Sequence, residues 1–411
     1  MRLQACCIGC CLLGCNVEAL SGDTGGVPRG DGGVCPDGAV VVLSDYRSSQ
    51  VALTTVEGIT LSESFVSTAS VHTDGLAFAL SGDTIVPGLR PPSDRVVLLD
   101  RLGTNVVTWL DPTTAEVLAQ LPVGTGFDAN PQDYVEVDAD RAYVSRLGHN
   151  LLAGTEPFDA GSDLLIIDTR RPAIVGSIRL PSGPDLPARP TGFARLGPTE
   201  IAVTLTRLRI GFQEGEDSML VGVDTERDAP SFELVLDGAK NCGAAQLSPS
   251  GDRLAIACSG LVTVDGESQG LDSSGVLVFD ALVRPPRLLQ RFEAATFGGE
   301  PVQYESAFAS EGFLLLKTQT PVGGSTRNRL LSLELASGRV ETLVESGRRG
   351  DGLTLGTVAC DPGCSNYCLV PDAAAGGLQR LRVRDDGSLE YLDLLTVEDR
   401  VGLPPRRLAY R

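Results

Sequence analysis

The chain has 411 residues, 42% of them apolar, with 48 Gly, 25 Pro and a formal charge of −19. So acidic a chain offers no basic face for neutralising phosphates, which excludes nucleic-acid binding as its role. Apolar residues spread evenly and punctuated by Gly and Pro indicate many short strands joined by tight turns, and exclude disorder over most of the length.

The first residues, MRLQACCIGCCLLGC, set Arg2 before a short apolar run that closes on LLGC, Leu12 to Cys15. This resembles a bacterial lipoprotein signal, in which a small residue precedes the Cys whose thiol accepts diacylglycerol. The resemblance implies removal of residues 1–14 and a lipid on Cys15, hence a membrane anchor in the cell envelope, with the outer membrane favoured. A buried strand or metal cluster is the competing reading, and it lacks a neighbouring His or acid to complete a site. The following NVEALSGDTGGVPRGDGGV is a Gly-rich tether, so that 15–34 would hold the next domain about 25 Å from the lipid.

Over 35–411 one unit recurs seven times at a spacing of about 45 to 60 residues, the length of a four-stranded propeller blade. Blade 1 opens with VVVLSDYRSSQVALTTV from Val40 and has no innermost strand before it. Labelling strands A to D outward from the axis, blade 2 takes GLAFAL from Gly75, then RVVLLD, NVVTWLD and EVLAQLPV. Blade 3 takes DYVEVD from Asp133, AYVSRLG and DLLIIDTRRPAIVGSIRL; blade 4 takes TGFARL from Thr191, IAVTLTR and SMLVGVD. Blade 5 takes GAAQLS from Gly243, RLAIACSG and GVLVFD, and blade 6 takes YESAFA from Tyr304, FLLLKTQ and RLLSLEL. Blade 7 takes GTVACD from Gly356, YCLVPDA and LQRLRVR, after which RRLAYR, Arg406 to Arg411, supplies the strand that blade 1 lacks. The predicted fold is therefore all-β, a seven-bladed β-propeller closed by its last strand, each blade sealing the faces of its neighbours.

The stretch TNVVTWLDPTTAEVLAQLPVG, with DRAYVS after it, resembles the YVTN family of propeller repeats, which includes surface-layer propellers and a lactonase-like group. The resemblance covers about 50 residues and implies fold far more than activity. No lactonase catalytic motif is visible onto which residues could be carried.

Six cysteines follow Cys15, an even number that suits disulfides in an exported chain. Counting back from the SPSG turn of blade 5 sets Cys242 opposite Cys258. Cys360, Cys364 and Cys368 form the A to B turn of blade 7, on the same face as Cys35. The favoured pairs are Cys35 with Cys364 and Cys360 with Cys368, with a zinc site on the three clustered thiols as the rival.

Strand direction gathers the D to A and B to C connections on one face, the top. Long B to C insertions at Leu147 to Ser162, Leu208 to Asp217 and Gly260 to Ser274 make it the expected interaction surface. In the loop GTGFDANPQDY, Asn130, Gln132, Asp133 and Tyr134 are ligand-binding candidates, unless they pair with backbone at the start of the strand. Arg47, Arg101, Arg146 and Arg207 follow the B strands and would aim guanidinium groups at an anion, unless they pair with strand-end acids such as Asp45 and Asp100. His72 and His149 are the only histidines; with Asp74 they are weak metal candidates. No nucleophile, zinc-protease or phosphate-loop motif is present. The expected function is a monomeric envelope scaffold that binds a protein, peptide or glycan without a cofactor. The alternatives are an envelope hydrolase of the lactonase-like type and a metal-binding propeller.

Overall fold

The structure, a computed structural model, describes residues 35–70, 77–78, 80–93, 95–101, 103–183, 185–209, 214–261, 270–318, 328–347, 353–398 and 400–411. The tether, Cys15, His72 and Asp74 lie outside them.

The described strands form seven four-stranded antiparallel sheets, and within each sheet consecutive strands pair, except in blade 1 where the ring closes. There the last strand, Pro405–Tyr410, becomes the innermost strand of blade 1 and pairs antiparallel with Ala39–Ser44. The innermost strands of blades 3, 4 and 6 are Pro131–Glu136, Pro190–Gly197 and Val302–Ser310, and those of blades 5 and 7 shrink to Gln246–Leu247 and Ala359–Cys360. Blade 2 departs from expectation. Its inner strand is Thr84–Ile85, paired with Asp100 and Leu99, and not the 75–80 segment. Within that segment Phe78 instead exchanges hydrogen bonds with the side chain of Gln120 on the outer strand of the blade. Of that segment residues 75, 76 and 79 lie outside the described residues, and Leu80 drops into the core between blades 1 and 2.

Period-two alternation explains why the ring holds. In Ala39–Ser44, Val40 and Val42 pack into the core shared with blade 2, while Ala39, Val41 and Leu43 pack into the core shared with blade 7. Every neighbouring pair of blades repeats this arrangement. Because B and C strands are buried on both faces, they read as continuous apolar runs such as VVLLD and DLLIID.

Three disulfides add covalent ties: Cys242 to Cys258, Cys360 to Cys368, and Cys35 to Cys364. The first two join adjacent inner strands within blades 5 and 7, where the Cys pairs face each other in register. The third fastens the first described residue to blade 7, beside the strand that closes the ring.

Candidate functional site

The mouth of the central channel and the loop platform raised on blade 3 both stand on the top face, open to a ligand.

At the channel mouth every blade contributes to a cavity of about 140 Å³, enough for a molecule the size of one aromatic ring. Its lining includes Ile85, Arg101, Gln132, Asp133, Glu305 and Arg407. Crowding at the axis selects small residues there. A Cβ on Gly243 would stand 1.6 Å from the carbonyl oxygen of Tyr304, so only Gly lets blades 5 and 6 approach. The chain enters the inner strands of blades 3, 4 and 5 through left-handed residues, Asn130 (φ 47°), Arg189 (φ 51°) and Asn241 (φ 50°). Asn tolerates that conformation best, which accounts for two of the three.

The loop candidates hold one another and the backbone. The side-chain oxygen of Asn130 accepts from Gln132 Nε2 at 2.7 Å, and Gln132 Oε1 accepts from Arg101 at 3.2 Å. Asp133 is buried and accepts backbone N–H groups of Gly88, Phe193 and Tyr134, each at 2.8 Å, so one carboxylate joins blades 2, 3 and 4. Burial pushes its carboxyl up to about 6 against the pull of those three donors. Tyr134 lies wholly within the core between blades 2 and 3, donating to Glu136 and accepting from the indole of Trp109. Burial, and then the Glu136 charge, raise its hydroxyl far above the usual range.

The arginines divide by environment. Arg47 is exposed in the B to C turn of blade 1, where Asp45 accepts its backbone N–H and does so also for Ser48. Arg101 pairs with Asp83 at 2.5 Å, not with its neighbour Asp100, which takes the Ser81 hydroxyl instead. Arg207 donates to the Asp217 carbonyl across the base of the blade 4 insertion. Arg146 is fully buried, gripping both oxygens of Asp163 at 2.8 Å and donating to Val123, Thr125 and Phe158. His149 pairs across the blade 3 insertion with Gly161; burial and then the Arg189 charge lower its pKa. Among the described residues no group of three His, Cys, Asp or Glu side chains is arranged to hold a metal.

A cluster that motif reading passed over lies beside the cavity. Glu305 accepts from Lys317 at 2.5 Å and from Arg407, and Lys317 also donates to the carbonyls of Leu355 and Gly356. Lys317 is 1% exposed, while the 20% of Glu305 left open faces the two cavities it lines. Burial pushes the Lys317 ammonium down in spite of Glu305. Two sequence signals pointed here: Lys317 is one of two lysines in the chain, and it ends the apolar run FLLLK.

On blade 3, the insertion after Arg146 is built around Asp159, which accepts the N–H groups of Gly154, Thr155 and Glu156 at 2.8–3.0 Å. Those donors, that of Glu156 first, hold its carboxyl down to about 2. Phe158 below is clamped by Arg146, and Leu151 and Leu152 stand out at 68% and 81% exposure. A preordered loop presenting two bare leucines is a surface ready for contact.

No family model matches the chain, and no curated protein matches its sequence, so the YVTN likeness of blade 2 stays at the level of fold. Solved propellers superpose on nearly the whole chain. A hypothetical selenium-binding protein from Sulfolobus tokodaii is 11% identical with a TM-score of 0.60, over 93% of this chain and 96% of its own. A candidate 6-phosphogluconolactonase from Bacteroides uniformis ATCC 8492 is 12% identical with a TM-score of 0.56, over 91% of this chain and 100% of its own. A functionally unknown protein from Desulfotomaculum acetoxidans DSM 771 is 10% identical with a TM-score of 0.51, over 91% and 98%.

Proposed function

We propose that this chain is an exported, lipid-anchored propeller that works by binding, with its top face as the contact surface and a protein, peptide or glycan of the cell envelope as partner. The supporting observation is the blade 3 platform, where a loop fixed by Asp159 and Arg146 holds Leu151 and Leu152 out in solvent. Ordering cost is met before any partner arrives, which favours binding. Disulfides in three places fit an oxidising compartment, and no helix among the described residues is long and apolar enough to cross a membrane. In this reading the lipid on Cys15 supplies the membrane attachment. The likeness to a candidate lactonase is one of fold. At the cavity mouth Arg101, Asp133 and Glu305 each have partners within the ring, a poor arrangement for general acid and base work.

Crosslinking in intact cells tests the reading. Photo-crosslinkers at Leu151 or Leu152 are expected to trap a specific partner that Leu151→Asp with Leu152→Asp abolishes, while crosslinkers at Leu282 on the opposite side trap none. Equal capture from both positions would refute the top face as the binding face. Cys15→Ala is expected to release the protein from the membrane fraction, and its retention there would refute the anchor.

A further inference from the structure

We propose that the pocket at the ring seam, between blades 6, 7 and 1 on the top face, binds a small organic carboxylate, its charged end on Arg407 and Arg406 and its hydrocarbon part against Tyr46, Tyr304 and Leu353. The inference rests on the top face being the binding face, and it names the chemistry of one part of that face.

Charge is the first argument. The pocket is lined by Lys317, Arg406 and Arg407 against a single acid, Glu305, within a chain whose net charge is −19. Two largely buried cations share that one carboxylate, and buried charge is stable when matched. An incoming anion supplies the match.

Donor geometry is the second. Lys317 directs its ammonium to Glu305, Leu355 and Gly356, so it contributes field and not contact. Arg407 donates to Glu305 through Nη1 and lies beside the Tyr304 hydroxyl. A guanidinium carries five N–H donors, and this one borders both the channel cavity and the seam pocket. Arg406 sits 5.1 Å above the Tyr46 ring, fixed by the carbonyls of Ser44 and Leu353.

The apolar rim is the third. Tyr46, Tyr304 and Leu353 are 56%, 40% and 48% exposed around one opening. Tyr46 holds a left-handed backbone (φ 65°), unfavourable for a bulky residue, with its N–H fastened to the Ser44 hydroxyl at 2.8 Å. Strain kept at a solvent-facing aromatic is a mark of a functional position. With a volume of about 80 Å³ the pocket takes in the carboxylate end, and the hydrocarbon part rests on the exposed rim of Tyr46, Tyr304 and Leu353.

Calorimetric titration of the full-length protein provides the test, with benzoate, benzamide and inorganic phosphate as probes. Benzoate is expected to bind at one site, with benzamide at least about tenfold weaker and Arg407→Gln or Arg406→Gln each losing about tenfold for benzoate, the scale of one charge-assisted contact. An acetylated dipeptide ending in a free Phe carboxylate separates two sources of the same group. Competition by it, but not by its amide, assigns the pocket to peptide C-termini; failure of both to compete assigns it to free small acids. Benzamide binding as well as benzoate, phosphate binding more tightly, no heat from any probe at millimolar concentration, or undiminished affinity in Arg406→Gln would each overturn the proposal. Should Arg407→Gln not fold, Arg406→Gln and Tyr46→Ala decide it from the surface. Leu151→Asp with Leu152→Asp is expected to leave benzoate affinity unchanged, so failure of the blade 3 reading and failure of this one register separately.

Discussion

Arg407, on the inner strand of blade 1, donates to Oε1 of Glu305, on the inner strand of blade 6, so that a single ion pair spans the inner edge of blade 7. Lys317 binds the other oxygen of the same carboxylate and donates to two carbonyls of the chain entering blade 7. Glu305 is thus the hub through which three consecutive blades are held at the point where the ring closes.

Replacing Glu305 with Gln leaves two largely buried cations without their shared counter-charge, and breaking such a set costs about 3 kcal/mol. Burial pushes the Glu305 carboxyl up, but Lys317 and Arg407 outweigh it and hold it down to about 2. A folded value below the unfolded one means that the stabilisation is complete above about pH 4.5 and is lost as pH falls from there toward 2. Chemical melts should therefore show Glu305→Gln well below the parent at pH 7, with the gap narrowing in acid. A gap that stays constant from pH 7 to pH 2 would contradict the ion-pair account.

Asp133 has the opposite sign. Its folded value, about 6, lies above that of an unfolded Asp, so its contribution is fully present below about pH 4 and declines as pH rises through 6. The displacement corresponds to about 3 kcal/mol between those limits. Asn in its place cannot titrate and offers one acceptor oxygen to three backbone donors. Asp133→Asn should flatten the stability profile between pH 4 and 7 while costing about 1–3 kcal/mol at its acid end. Thermal melts across that window read both effects.

The architecture was legible because strands buried on both faces print unbroken apolar runs, and because RRLAYR had no blade of its own to join. The inner strand of blade 2 was hidden for the converse reason: Thr84 and Ile85 sit in the polar stretch SGDTIVPG, while the apolar Phe78 and Leu80 before it lie outside the inner strand. Candidate residues fared by distance. Arg101 and Gln132 meet because their blades adjoin, yet the true partner of Arg101 is Asp83 and not its neighbour Asp100. Glu305 and Lys317 meet across the paired inner strands of blade 6, but Arg407 joins them only through ring closure, which no local spacing encodes.

Of the three disulfides, Cys35–Cys364 spans 329 residues and Cys360–Cys368 only 8. In the chain-entropy account a crosslink stabilises by restricting the unfolded chain, and more so for the longer loop, by about 3 kcal/mol between these two. Cys35→Ala with Cys364→Ala is expected to lower the denaturant midpoint more than Cys360→Ala with Cys368→Ala. The reverse order would show that local strand pairing in blade 7, not loop length, sets the value of these bonds.

Arg146 separates a binding role from a supporting one. Its guanidinium has no exposed surface, grips Asp163 with two bonds of 2.8 Å, holds the Phe158 carbonyl at 2.6 Å and packs 5.1 Å from the Phe127 ring centre. A lysine keeps the charge but cannot reach Asp163, Thr125 and Phe158 from one planar group. Arg146→Lys should therefore cost about 3 kcal/mol, since it leaves the buried Asp163 carboxylate and several acceptors incompletely paired. Loss of the Phe158 clamp should loosen the loop that presents Leu151 and Leu152. Hydrogen exchange would report it as faster exchange at Gly154, Thr155 and Glu156, with the inner strands of blades 5 and 6 unchanged. Partner crosslinking at Leu152 should then fall even though Arg146 touches no partner, whereas Arg47→Gln, at the exposed turn of blade 1, should leave both exchange and crosslinking as they were.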